Sequence, residues 1–228
     1  MAIEGLDTSR PLSLSGLERR CPHVVVERLL GEDLVEELLA YVEERCNDFK
    51  PATVYSREAR EDRLNLESRN CLRLDDVGPF KETMKRAIGA ILPSATLMLG
   101  ILGPNPKPRE IEMCAYGDGA SVGPHIDTAP AGPRRVVSCV YYFFRQPAGF
   151  SGGALRLFGW PNVSSPASDE SASIDVIPQR DSLAIFPSAL RHEVRPIVCP
   201  TGEWRDYRFS INSWAHSPSV TTQGISLT

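Results

Sequence analysis

The stretch Gly123-Pro124-His125-Ile126-Asp127-Thr128 decides how this chain is read. His125 and Asp127 are two positions apart. On a β-strand successive side chains alternate faces, so the two project the same way. An imidazole and a carboxylate on one face make two corners of a metal site. A second imidazole is available from His192, in Leu190-Arg191-His192-Glu193-Val194. Two imidazoles and one carboxylate on one side of an iron leave its other coordination positions open. Arg208 follows in Arg208-Phe209-Ser210-Ile211-Asn212-Ser213-Trp214. If this is one strand, Arg208, Ser210, Asn212, Trp214 and His216 share a face. An inward arginine needs a partner anion, and a guanidinium holds a carboxylate through two parallel hydrogen bonds. Arg205, in the Cys199–Asp206 segment ahead of that strand, is the rival cation.

Working outward, 228 residues suit one large domain with a core that needs no staples. The balance of 25 basic and 29 acidic residues gives −4. That charge argues against a nucleic-acid partner, which leaves a basic footprint. No apolar run is long enough to cross a membrane, and Met1–Arg20 lacks the apolar core of a signal peptide. A cytoplasmic protein is expected. The six cysteines (21, 46, 71, 114, 139, 199) contain no Cys-x-x-Cys pair and read as small buried hydrophobes. A reducing compartment also suits ferrous iron. Nothing in the sequence speaks to oligomeric state.

Residues 1–21 read as a loose arm, 22–216 as one domain and 217–228 as a tail. Within the domain, 22–108 reads as helical support. Pro22–Glu27 predicts a short strand. Leu34, Leu38, Leu39 and Val42 predict an amphipathic helix over Glu32–Cys46. Residues 50–68 show no apolar period and read as a mobile loop, a possible substrate lid. A second helix starts at Pro79, with Phe80, Met84, Ala87, Ile88 and Ile91 on one stripe, and is interrupted at Pro93. From Arg109 the pattern turns to strands: Glu110–Tyr116, Gly123–Asp127, Arg135–Phe144, Ala154–Phe158, Ser173–Ile177, Ser182–Phe186, Glu193–Val198 and Tyr207–Ala215. Strands at this spacing suggest a jelly roll or barrel. The fold class is α+β, mainly β, with helices packed on the outside of one sheet. Tyr141 and Phe143, opposite in parity to Tyr142, are assigned to the core.

Several blocks occur in a telling order: Tyr116, His125-x-Asp127, Val140-Tyr141-Tyr142-Phe143, Gly152-Gly153-Ala154-Leu155-Arg156-Leu157-Phe158, Arg180–Pro187, His192–Pro196 and Arg208–Trp214. Together they resemble the Fe(II)/2-oxoglutarate dioxygenases, in the prolyl 4-hydroxylase-like branch. The likeness spans roughly 22–216 and is sharpest from 109 onward. It implies a double-stranded β-helix core. It also implies hydroxylation of an unactivated C–H bond as 2-oxoglutarate and O2 become succinate and CO2. By this resemblance His125, Asp127 and His192 hold Fe(II), and Arg208 with Ser210 holds the distal carboxylate of 2-oxoglutarate. Tyr142, Tyr116 and Trp214 line that pocket, and ascorbate is a candidate reductant. Arg135, Arg156, Asn212 and Tyr55 are candidate substrate contacts. The implied substrate is a prolyl or other amino-acid residue, free or in a peptide. Alternatives are a small molecule of secondary metabolism, or a non-catalytic metal-binding or sensing module. The segment between His192 and Arg208 is longer than in many members of the family, and an intact Asp127 favours hydroxylation over halogenation.

Overall fold

Alternation along two long strands sorts the interior into two sides. In β9 (Arg135–Phe143), Val137, Cys139, Tyr141 and Phe143 are buried on one side, in a cluster with Leu38, Val42, Met84 and Ile88 of the helices. Tyr142 faces the other way, among Leu155, Leu157 and Phe186. In β16 (Arg208–His216), Phe209 and Ile211 join the helical side. Arg208, Asn212 and Trp214 line a cavity on the other. The period of two thus puts an apolar layer under the helices and a polar layer inside the sandwich.

The computed structural model describes residues 20–56, 61–128, 135–160 and 172–218, and the backbone alone for 54–56 and 61–63. The major sheet has the order β1-β13-β9-β16-β7-β6-β2. Besides β9 and β16 it contains β1 (Val24–Glu27), β2 (Lys50–Pro51), β6 (Leu72–Leu74), β7 (Lys107–Tyr116) and β13 (Ser182–Pro187). The minor sheet, β12-β11-β14-β8-β5, is built from β5 (Arg69–Asn70), β8 (Ser121–His125), β11 (Leu155–Phe158), β12 (Ser173–Val176) and β14 (His192–Val194). Two small ribbons, β3 (Thr53–Ser56) with β4 (Glu61–Leu64) and β10 (Ser151–Gly152) with β15 (Ile197–Val198), stand apart. Helices α1 (Glu32–Glu44) and α2 (Phe80–Met98) cover the outer face of the major sheet. This is the mainly β jelly-roll sandwich expected. Among the described residues no helix is long and apolar enough to cross a membrane.

Four expectations need correction. The segment 22–108 is more than helical support: besides the expected β1 it supplies β2 and β6 to the major sheet and β5 to the minor one. Strands of two to four residues are too short to show an alternating pattern. For the same reason 50–68 is not a plain loop. It contains the β3–β4 hairpin, with Thr53 opposite Leu64 and Ser56 opposite Glu61. Pro93 does not interrupt α2, which runs on to Met98. The buried stripe continues through Ile91, Leu92 and Ala95, and the Thr96 hydroxyl donates to the Leu92 carbonyl at 2.8 Å. Burial of the stripe outweighs the roughly 3 kcal/mol that an interior proline costs. Finally, Glu193–Val198 is two strands, β14 and β15, in different sheets. The arm up to residue 19, the segment 57–60, the Tyr55 side chain and the tail from 219 lie outside the described residues.

Candidate functional site

The two histidines meet by strand pairing. His192, the first residue of β14, lies directly opposite His125, the last of β8, with ring centroids 4.2 Å apart. Each ring is oriented the same way. His125 Nδ1 lies 2.9 Å from the Gly123 carbonyl oxygen, and His192 Nδ1 lies 2.9 Å from that of Leu190. A carbonyl only accepts, so both Nδ1 atoms carry a proton and both Nε2 atoms face inward, the orientation metal ligation requires.

Asp127 arrives differently from the expectation that it shares a strand with His125. β8 ends at His125, and Asp127 lies beyond it, its N–H donating to the Ser188 carbonyl at 2.9 Å. Its carboxylate nevertheless closes the group. Oδ1 is 3.5 Å from His125 Nε2 and Oδ2 is 3.5 Å from His192 Nε2. One donor atom from each of the three residues falls within 4.8 Å of the others. Donors about 2.1 Å from a metal and at right angles stand about 3 Å apart, so small adjustments of these side chains fit one ion.

Burial and mutual contact perturb all three groups. Burial pulls the His192 pKa down to about 4, against the pull of Asp127, so the ring is neutral at pH 7. Burial lowers His125 as well, but its hydrogen bond and charge interaction with Asp127 outweigh this and the net shift is upward. For Asp127, burial is outweighed by the His125 hydrogen bond, both imidazoles and Ser138, which hold the carboxyl well below the usual range.

Arg208 is 1 % exposed. Its Nε and one terminal nitrogen are buried without a hydrogen-bond partner among the described residues. The guanidinium carbon lies 3.9 Å from the Tyr116 ring centroid and 5.2 Å from that of Tyr142. Burial pushes the Tyr142 hydroxyl up to about 12, so it stays protonated as a donor. Gly153, at φ +67°, makes room here: a Cβ would sit 2.7 Å from Ile197 Cγ1 and 3.5 Å from Arg208 Cδ. Arg205, by contrast, is exposed in the short turn Trp204–Asp206.

A cavity of about 780 Å³ joins these groups. Tyr116, His125, Asp127, Tyr142, His192, Arg208, Asn212, Trp214 and Arg135 all line it. Ser210 is fully buried beside it, its hydroxyl donating to Asn212 Oδ1 at 3.1 Å. Arg135 stacks on Trp214, 4.2 Å from the ring centroid, and is paired with Glu110. Arg156 is not brought to the cavity; it holds Asp175 with bonds of 2.7 and 2.8 Å.

Several contributors escaped the sequence reading. Arg69 and Glu112, joined at 2.6 Å, line the cavity. The buried Cys114 thiol donates to Glu112 Oε1 at 3.6 Å. Ser138 donates to Asp127 Oδ2 at 2.6 Å, and Ser188 lies 2.9 Å from Ser138. Ser138 had a signal in its parity with Tyr142 on β9, and Glu112 and Cys114 in theirs with Tyr116 on β7.

Known proteins resemble this chain in sequence and in fold. Residues 111–216 match the family model of the 2OG-Fe(II) oxygenase superfamily. That segment, just under half of the chain, is similar to the 2OG-Fe(II) oxygenases. An uncharacterized PKHD-type hydroxylase from Synechocystis sp. is 33% identical over 106 residues, 46% of this chain and 35% of that protein. The match thus spans about a third of that relative's length. A Pseudomonas putida prolyl-4-hydroxylase superposes with TM-score 0.56 at 25% identity, covering 86% of this chain and 92% of that one. A Trichoplax adhaerens prolyl hydroxylase, solved with a hypoxia inducible factor oxygen degradation domain peptide fragment, gives 0.58 at 20% identity, covering 87% and 85%. The fold shared with these structures is a double-stranded β-helix, with the cavity between its two sheets.

Proposed function

We propose that the chain is an Fe(II)- and 2-oxoglutarate-dependent hydroxylase. Arg208 carries the reading: a buried guanidinium with two unsatisfied nitrogens in the same cavity as the three donors. A metal-binding module without a co-substrate has no use for such a cation, whose burial unpaired is costly. The chemistry of the donors fits iron, and the orphaned nitrogens fit a dicarboxylic 2-oxo acid.

His125, Asp127 and His192 would hold the metal, and Arg208, with the Tyr142 hydroxyl beside it, would fix the distal carboxylate of 2-oxoglutarate. When bound, the iron and 2-oxoglutarate supply the oxidation of a C–H bond by O2, with succinate and CO2 as co-products. The chain's own residues position the reaction and exclude water. Tyr142, Phe186 and Leu155 wall the cavity on the inner side, and Trp214 with Arg135 forms its rim. The proposed substrate is a prolyl or other amino-acid residue, free or in a peptide, in keeping with the hydroxylase relatives. All six cysteines are free thiols, which suits a reducing cytoplasm.

The test is succinate formation with Fe(II), 2-oxoglutarate, O2 and ascorbate, screened against amino acids and proline-containing peptides. A substrate that stimulates succinate release and gains one oxygen supports the proposal. No succinate above the protein-free control for any condition or peptide counts against it.

A further inference from the structure

The three donors are not held alike. His125 and His192 are fixed by the β8–β14 ladder and by backbone carbonyls on their Nδ1 atoms. Asp127 lies past the end of β8, so no ladder aims its side chain. What aims it is a pair of serines from the major sheet. Ser138, on β9, is 2 % exposed, and Ser188, just after β13, is 0 % exposed. Ser138 Oγ is 2.6 Å from Asp127 Oδ2 and 2.9 Å from Ser188 Oγ.

The proton count orders the chain of bonds. A serine hydroxyl has one proton and two lone pairs. The Asp127 carboxylate only accepts, so the Ser138 proton goes to Oδ2. Ser138 then faces Ser188 as an acceptor, and Ser188 must be the donor. The direction is Ser188 to Ser138 to Asp127. Ser188 also accepts the Asp127 N–H through its carbonyl at 2.9 Å, and its own N–H bonds to the Val136 carbonyl at 3.1 Å. One residue of the major sheet thus anchors both the main chain and, through Ser138, the side chain of Asp127. Oδ1, 3.5 Å from His125 Nε2, is left outside the hydroxyl chain.

We propose that Ser138 is a positioning residue that fixes the Asp127 carboxylate for metal binding, with Ser188 acting through it. The inference rests on the metal reading given above. Partners that orient a ligand typically change metal affinity by about 10- to 100-fold, and a hydrogen bond from a hydroxyl to a carboxylate is a strong one.

The experiment is anaerobic calorimetric titration of the full chain with Fe(II), without 2-oxoglutarate, alongside melting curves of the metal-free proteins. Ser138→Ala is expected to weaken Fe(II) binding by about 10- to 100-fold with little change in melting temperature. Ser138→Thr, which keeps the hydroxyl, restores affinity to near the unsubstituted value. Ser188→Ala costs about 3- to 10-fold, the scale of one hydrogen bond. The double variant binds no worse than Ser138→Ala alone, because Ser188 acts through Ser138. Equal affinities of Ser138→Ala and the unsubstituted chain overturn the inference while leaving the metal reading intact. No Fe(II) uptake by the unsubstituted chain overturns both. If Ser138→Ala fails to fold, Ser188→Ala decides, and unaltered affinity there overturns the relay.

Discussion

Replacing Arg208 by Met should leave the stability of the co-substrate-free protein within about 2 kcal/mol of the native chain while removing its response to 2-oxoglutarate. Met keeps the length and flexibility of the side chain without the charge. Arg208 is 1 % exposed with two orphaned nitrogens. Exchanging buried charges for apolar groups is neutral or stabilising by about 1–4 kcal/mol. The Tyr116 ring, 3.9 Å from the guanidinium carbon, offsets up to about 2 kcal/mol of that through cation–π attraction. With that offset in full the net change lies between a loss and a gain of about 2 kcal/mol, within roughly 8 °C of the native melting temperature for a chain of this size. Binding should suffer the opposite fate. Leaving a buried carboxylate without its cation costs roughly 3–5 kcal/mol, an affinity loss of about 100- to 4000-fold. At 2-oxoglutarate 100 times the native Kd, the native chain gains about 2.7 kcal/mol on melting, whereas the variant gains well under 1 kcal/mol. Melting curves with and without 2-oxoglutarate, in the presence of metal, read both effects. Arg205→Ala is the control and should behave as the native chain. A variant that melts far lower yet keeps the full 2-oxoglutarate shift refutes the reasoning, and a crippled Arg205→Ala moves the role to that residue.

Other outcomes follow from the same geometry. His192→Ala and Asp127→Ala should each abolish Fe(II) binding in the calorimeter while far-ultraviolet circular dichroism stays unchanged. Backbone amides of the β3–β4 hairpin should exchange with deuterium far faster than those of the central β7–β16–β9 ladder, because a two-stranded ribbon alone is marginal; equal protection would contradict this. Glu110 is opposed by burial but held below its ordinary pKa by Arg135 and His216. A depressed carboxylate contributes stability above its unfolded pKa, near 4.3, and loses it as pH falls through the folded value. Glu110→Gln should therefore lower stability at neutral pH and flatten its decline below about pH 4.3, which urea melts at several pH values would show.

What could be read from the sequence was whatever has a period or a motif. The inward set on β16 followed from parity alone, and so did the split between Tyr142 and its neighbours Tyr141 and Phe143. The reading failed where local pattern yields to tertiary pairing. Strands of two or three residues, such as β2, β5 and β6, carry no alternation, and Pro93 sits inside a helix because the apolar stripe around it is buried. At the site itself, the spacing of His125 and Asp127 gave the right partners for an incomplete reason. Strand parity holds for His125, but Asp127 owes its place to Ser188 and Ser138, which lie 61 and 11 residues away in the chain. Arg69 and Glu112 were missed because their pairing joins β5 to β7 across the cavity, a contact no local window contains.

The most direct measurement of the central claim is an anaerobic equilibrium titration of the native chain, first with Fe(II) and then with 2-oxoglutarate. One Fe(II) and then one 2-oxoglutarate per chain, the second step weakened at least about 100-fold by Arg208→Met and the first lost in His192→Ala, is the predicted result. Tight 2-oxoglutarate binding that persists in Arg208→Met, or Fe(II) binding untouched by His192→Ala, would contradict the account.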